Sequence, residues 1–216
     1  MHGIDVSRHQ GFIDWQKVKN SGLVDFAILR VGHSLYDGGL KLDERFKYNA
    51  AACEALNIPF GAYFYSYDKS SPAVKISVEN VVETVKNYKM TYPLIFDIED
   101  AQNVMYGAVQ NTLLVKTAMS EIEKYGYYAM LYSFVNFFKN YLVLNDLKMY
   151  DKWVAYYPHY STQQKRNSES RPMSIPHGMW QYTNYRTIDG IKTVVDCNYS
   201  YKNYPAIIKY NHLNGW

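Results

Sequence analysis

Residues 93–100, Pro-Leu-Ile-Phe-Asp-Ile-Glu-Asp, hold the tightest constraint on how this chain of 216 residues folds. A short run of Leu, Ile and Phe reads as a strand covered on both faces, the kind found in parallel sheets. Side chains alternate along a strand, so Asp97 and Glu99 point the same way, roughly 6.8 Å apart along it. Two carboxyls at the end of a buried strand are costly to place there without a use for them.

The rest of the pattern alternates strand with helix. Strands are predicted at Ile4–Ser7, residues 26–31, residues 60–65, Leu94–Ile98, Tyr127–Tyr132, Trp153–Tyr157, Met179–Tyr182 and Val194–Cys197. Asp14 caps a short helix that Gly22 stops. Further helices are predicted over Leu42–Leu56, from Ser71-Pro72 toward Tyr88, over Thr112–Tyr125 and over Val135–Tyr141. Ser161–Pro176 is polar and irregular, and reads as a surface loop. Eight short strands, with helices in the first five intervals, imply an α/β fold: an irregular, shortened (β/α)8 barrel of the TIM type with about five helices. A doubly wound open sheet is the alternative. With a nucleotide site it would show a glycine-rich turn after the first strand, and none is present.

Length and composition fit one domain over residues 1–216. The net charge of +3 is mild and the Lys and Arg residues are scattered, so no nucleic-acid patch is indicated. No apolar run reaches the roughly 20 residues of a membrane helix. Met1-His2-Gly3-Ile4-Asp5 enters a strand at once, so no signal peptide is expected. Release would then follow another route or the removal of a leader. Cys53 and Cys197 share no C-x-x-C spacing and read as small buried hydrophobes. The six His show no H-x-x-x-H spacing, so neither metal nor cofactor is expected. Oligomeric state is not legible.

In a β/α barrel the chemistry lies at the C-terminal ends of the strands. Four acids fall there: Asp5 on the first strand, Asp97 and Glu99 on the fourth, and Asp196 on the eighth. Closure makes the first and eighth strands neighbours, so the four would ring one cavity. Taken alone, Asp5 or Asp196 reads more readily as a loop cap or as the partner of a buried Arg such as Arg30. Asp100 reads as a cap for the segment that follows. Paired carboxyls in a cleft are the equipment of glycosidic-bond hydrolysis, which needs no cofactor. Tyrosine is abundant at 23 residues, and Tyr63, Tyr65, Tyr132 and Trp180 near strand ends are candidate sugar platforms.

The chain resembles glycoside hydrolase family 25, the Chalaropsis-type lysozymes of phage endolysins and bacterial autolysins. The likeness rests on Gly3-Ile4-Asp5-Val6-Ser7, Ile13-Asp14-Trp15 with Val18 and Gly22, and Phe26-Ala27-Ile28 with Arg30. It continues through Asp43-x-x-Phe46-x-x-Asn49, Gly61-Ala62-Tyr63, Asp97-x-Glu99, Trp180-Gln181-Tyr182 and Val195-Asp196-x-Asn198. It implies a single catalytic domain acting at the bacterial cell wall on peptidoglycan glycan strands. The bond cleaved would be the β-1,4 bond between N-acetylmuramic acid and N-acetylglucosamine. It implies Glu99 as general acid, with Asp97, Asp5 and Asp196 supplying a negative field. Asp97 would orient the 2-acetamido group, attack directly, or act with a bound water. One departure is His9-Gln10, where the family has an aromatic residue before the glutamine, so a rim contact to the glycan differs. A chitinase-like enzyme of glycoside hydrolase family 18 would show D-x-D-x-E, and Ile95 occupies its first acid position. A non-catalytic, wall-binding barrel is the reading from another class, and it would have no need of Glu99 with its acidic partners.

Overall fold

Short runs of Val, Ile, Leu, Phe and Tyr form the strands β1 (His2–Val6), β2 (Phe26–Ser34), β3 (Leu40–Leu42), β4 (Phe60–Tyr65) and β5 (Leu94–Asp97). The second half adds β6 (Ala129–Phe134), β7 (Asp151–Ala155), β8 (Met179–Arg186) and β9 (Val195–Ser200). Between and after them run α1 (Trp15–Asn20), α2 (Phe46–Ala55), α3 (Ser71–Val85), α4 (Ala101–Lys124), α5 (Val135–Tyr141) and α6 (Tyr204–Tyr210). The structure is a computed structural model and describes residues 1–158 and 171–216, so most of the segment read as a surface loop lies outside the described residues.

The sheet order β1-β9-β8-β7-β6-β5-β4-β2 closes through a β1–β2 pairing, giving the expected eight-stranded barrel. The ninth strand, β3, pairs antiparallel with the end of β2. It occupies the start of the predicted Leu42–Leu56 helix, which therefore begins at Phe46. The barrel is parallel except at β9, which runs antiparallel to both β8 and β1. Only residues 187–194 separate β8 from β9, too few for a helical crossover, so the chain turns straight back.

Helix α4 begins at Ala101, ahead of the predicted Thr112. Asp100 Oδ1 caps it by accepting from Gln102 N at 2.9 Å, and Gly107 breaks it with φ 74°, a left-handed angle that glycine adopts freely. That break hides the first turns from a periodicity search.

The outer layer packs helices against the sheet. Val74, Val78, Val81 and Val85 on α3 share a buried face, each contributing about 1.5–3 kcal/mol by burial. Inside the barrel, Phe26, Ile28, Ile95, Met130, Trp153 and Met179 fill the lumen. The unpredicted α6 closes the end where the strands begin, with Tyr204 and Ile208 packed into the interior cluster. Tyr204 donates to Asp151 Oδ2 at 2.8 Å there. The opposite end stays open. No helix among the described residues is long and apolar enough to cross a membrane.

Candidate active site

Alternation along the strands decides what reaches the open end. On β1, Ile4 and Val6 face the outer layer while Asp5 faces inward. On β4, Tyr63 and Tyr65 face inward and Phe64 outward. Strand register then brings distant residues level. Asp5 stands opposite Asp196, Tyr65 opposite Asp97, and Asp97 opposite Tyr132. Together they line a cleft of about 420 Å³ with Glu99, Arg30, Trp153, Tyr157 and Gln181.

The acidic loop is held from both sides. Ser133 Oγ donates to the Ile98 carbonyl at 2.6 Å, and Tyr65 OH donates to Asp100 Oδ2 at 3.2 Å. Asp100 therefore takes the capping role and anchors the loop. Asp97 Oδ1 and Glu99 Oε2 are buried atoms without a hydrogen-bond partner. Such atoms carry a desolvation cost of about 1–3 kcal/mol each, which a bound ligand would relieve.

Burial raises the proton affinity of all four acids. Glu99 is pushed up to about 7, first by burial and then by the charge of Asp5, against the pull of Arg30. Asp97 is raised by burial and by Glu99. Asp5 rises to about 6, burial outweighing the hydrogen bonds from Asn198 and Gln181. Asp196 rises to about 8 through burial and the neighbouring Asp5, to which it is hydrogen-bonded. A cleft in this state stocks both protonated and ionised carboxyls near neutral pH.

The aromatic wall is packed as a unit. Tyr132 and Trp153 lie 4.3 Å apart between ring centres, and Tyr63 meets Trp153 edge-on at 6.2 Å. Of the predicted platforms, Tyr63, Tyr65 and Tyr132 line the cleft, whereas Trp180 does not. It lies on the outer face of β8, 1% exposed, with its Nε1 donating to the Tyr156 carbonyl. Its neighbour Gln181 faces the cleft instead. Arg30, Trp153, Tyr157, Gln181 and Asn198 reach the cleft without a motif in the sequence that marks them as site residues. The alternation that separated Tyr63 from Phe64 would have preferred Gln181 to Trp180.

A profile of the family described as glycosyl hydrolases family 25 matches residues 4–191. The chain belongs to this family. The matched segment stops before β9, and Asp196 reaches the cleft through the β1–β9 pairing. YegX of Escherichia coli K12, an uncharacterized protein, is 28% identical over 205 residues, covering 92% of this chain and 68% of YegX. Among solved structures, the modular autolysin LytC from Streptococcus pneumoniae, in complex with a synthetic peptidoglycan ligand, superposes with a TM-score of 0.75 at 26% identity. That match covers 91% of this chain and 46% of LytC, so the chain spans about half the length of that relative. The catalytic domain of endolysin ply40 from bacteriophage P40 of Listeria monocytogenes aligns with a TM-score of 0.74 at 23% identity, covering 97% of each chain. At that identity the likeness to ply40 is one of fold.

Proposed function

We propose that this family 25 chain is an N-acetylmuramidase, a lysozyme that hydrolyses the β-1,4 bond between N-acetylmuramic acid and N-acetylglucosamine in the bacterial cell wall. The observation that carries this reading is Glu99, a carboxyl pushed up to about 7 beside Asp97 at the mouth of an aromatic-walled cleft. The synthetic peptidoglycan ligand in the LytC complex supplies the substrate class.

In this reading Glu99, still protonated near neutral pH, gives its proton to the glycosidic oxygen as the bond to the anomeric carbon breaks. Positive charge then develops on the sugar ring. That charge favours the ionised form of Asp97, whose unpartnered Oδ1 accepts contact from the substrate. Asp5 and Asp196, with one proton between them, keep the field negative on the far side of the cleft. Water completes the hydrolysis and leaves a new muramic-acid reducing end. Tyr63, Tyr65 and Tyr132 offer flat amphipathic faces to the sugars.

The test is digestion of purified peptidoglycan by the wild type and by Glu99→Gln, with reducing ends identified by mass spectrometry. Muramic-acid ends, lost in the variant, are the expected result. Glucosamine ends would overturn the bond assignment. Wall binding without cleavage would make the barrel a glycan-binding module.

A further inference from the structure

Trp153 Nε1 donates to Asn198 Oδ1 at 2.8 Å. An indole N–H only donates, so this contact fixes which end of the Asn198 amide is oxygen. The Asn198 NH2 group therefore points the other way, donating to Asp5 Oδ2 at 2.7 Å. Gln181 repeats the arrangement from the next strand. Its Oε1 accepts from Tyr132 OH at 2.8 Å and from Tyr157 OH at 2.6 Å, and its Nε2 donates to Asp5 Oδ2 at 2.9 Å. The placement is a consequence of register: Gln181 pairs with Asn198 across β8–β9, Asn198 pairs with Gly3 across β9–β1, and Asp5 is the next inward residue on β1.

Two N–H donors converging on one oxygen favour the ionised form of that carboxyl. Within the hydrogen-bonded Asp5–Asp196 pair they therefore favour Asp5 as the carboxylate and Asp196 as the holder of the proton. Asp5 also faces Arg30 from β2, Tyr63 from β4 and Asp97 from β5. Glu99 faces Asp97, Asp5, Asp196, Arg30 and Asp100, with Tyr65 and Tyr132 beside it.

We propose that Gln181 is a positioning residue of the cleft: it holds Asp5 as a carboxylate, and through that charge it keeps the proton on Glu99, while its oxygen locks the Tyr132 and Tyr157 hydroxyls. The proposal rests on the muramidase reading only for its kinetic test. Without the Gln181 donor, Asp5 takes up a proton more readily, and Glu99 loses a negative neighbour that favours its protonated form. The two groups then titrate in opposite directions. Tyr132 and Tyr157 lose their common acceptor, so substrate binding loosens as well.

The experiment uses Gln181→Met, which keeps the length of the side chain and removes both hydrogen-bonding ends. Carboxyl-carbon NMR titration of the full chain should show Asp5 moving up and Glu99 moving down, each by about one pH unit. The alkaline limb of kcat/KM on purified peptidoglycan should move down with Glu99, and KM should rise. Unmoved titrations, or a uniform loss of rate with unmoved limbs, would overturn the proposal and leave Gln181 a packing residue. If the wild type cleaves no peptidoglycan, the muramidase reading fails, and the NMR titration alone decides the role of Gln181. Gln181→Asn is the second variant should Gln181→Met not fold. It stays polar and too short to reach both Asp5 and the tyrosines, and it carries the same expected shifts.

Discussion

Asp5 and Asp196 stand directly opposite each other in the antiparallel β1–β9 pair, hydrogen-bonded carboxyl to carboxyl. Adjacent acids cannot both ionise cheaply out of water, and the pair divides accordingly, at about 6 and about 8. The strand that reverses direction thereby brings a second acid to the cleft mouth, where a parallel strand would carry its residues in the opposite order.

This pairing makes stability depend on pH with a definite sign. Asp196 has an ordinary value of 3.8 and a folded value of about 8, so the folded chain binds a proton that the unfolded chain has released. Stability is then highest below the unfolded value and is lost as pH rises from about 4 through about 8. Asp5, Asp97 and Glu99 act in the same direction. The melting temperature should fall by several degrees between pH 5 and pH 8.5, at about 2–4 °C for each kcal/mol. Asp196→Asn keeps a donor for Asp5 but removes one titration, and should flatten the slope. Equal slopes in wild type and variant, measured by circular dichroism melts across that range, would contradict the account.

Glu99→Gln should separate activity from stability. Loss of the acid lowers turnover of peptidoglycan by about 10²–10⁴-fold. The same change replaces an acid whose Oε2 is buried without a partner by a neutral amide. At pH 8, above the Glu99 value of about 7, the variant should melt a few degrees higher than the wild type. At pH 5, where wild-type Glu99 is already protonated, most of that gain should vanish. A variant less stable at both pH values would mean that Glu99 holds the fold together.

Much of this arrangement is legible in the sequence because it rests on alternation. The apolar run before Asp97 marks a buried strand, and period two then places Glu99, Tyr63 and Tyr65 on the inner face. The eight barrel strands follow from the same signal. What escaped depended on contacts between segments far apart in the chain. The inward Gln181 and Asn198 are ordinary polar residues until Asp5, from the other end of the chain, is laid beside them. Trp180 has the ring of a sugar platform, but its place next to the inward Gln181 on β8 turns it outward. The direction of β9 was within reach, since residues 187–194 are too few for a crossover helix. Helix α6 carries no strong pattern of its own. Its place follows from the open barrel floor that Tyr204 fills.

Gly3 is a position where a single methyl group should be felt at the cleft. A Cβ there would overlap the Cζ, Cε1 and Cε2 atoms at the tip of the Phe26 ring, which is itself stacked on Tyr92 with ring centres 4.2 Å apart. The stack has little freedom to move inside the lumen. Gly3→Ala should therefore cost about 1–3 kcal/mol, and it should lower activity beyond that, because Asp5 lies two residues along the same face. Denaturant unfolding and peptidoglycan turnover measured on one preparation would check both effects. Unchanged stability would show that Phe26 can shift aside.

The barrel floor offers the complementary test, in which stability changes and catalysis does not. Asp151 Oδ2 accepts from Tyr204 OH at 2.8 Å, Tyr128 OH at 3.1 Å and Lys202 Nζ at 2.8 Å. Tyr204 is fully buried, so Tyr204→Phe keeps the packing of α6 and removes one hydrogen bond to a carboxylate, worth about 1.5–3 kcal/mol. Asp151 keeps its other partners, which holds the loss toward the lower figure. The floor lies at the end of the barrel away from Glu99, and no hydrogen bond of the cleft passes through Tyr204. Tyr204→Phe should thus lower the melting temperature by roughly 3–6 °C while leaving kcat/KM and its pH limbs in place at 25 °C. A shift of either limb would reveal coupling between the two ends of the barrel, carried by the stacked residues of the lumen.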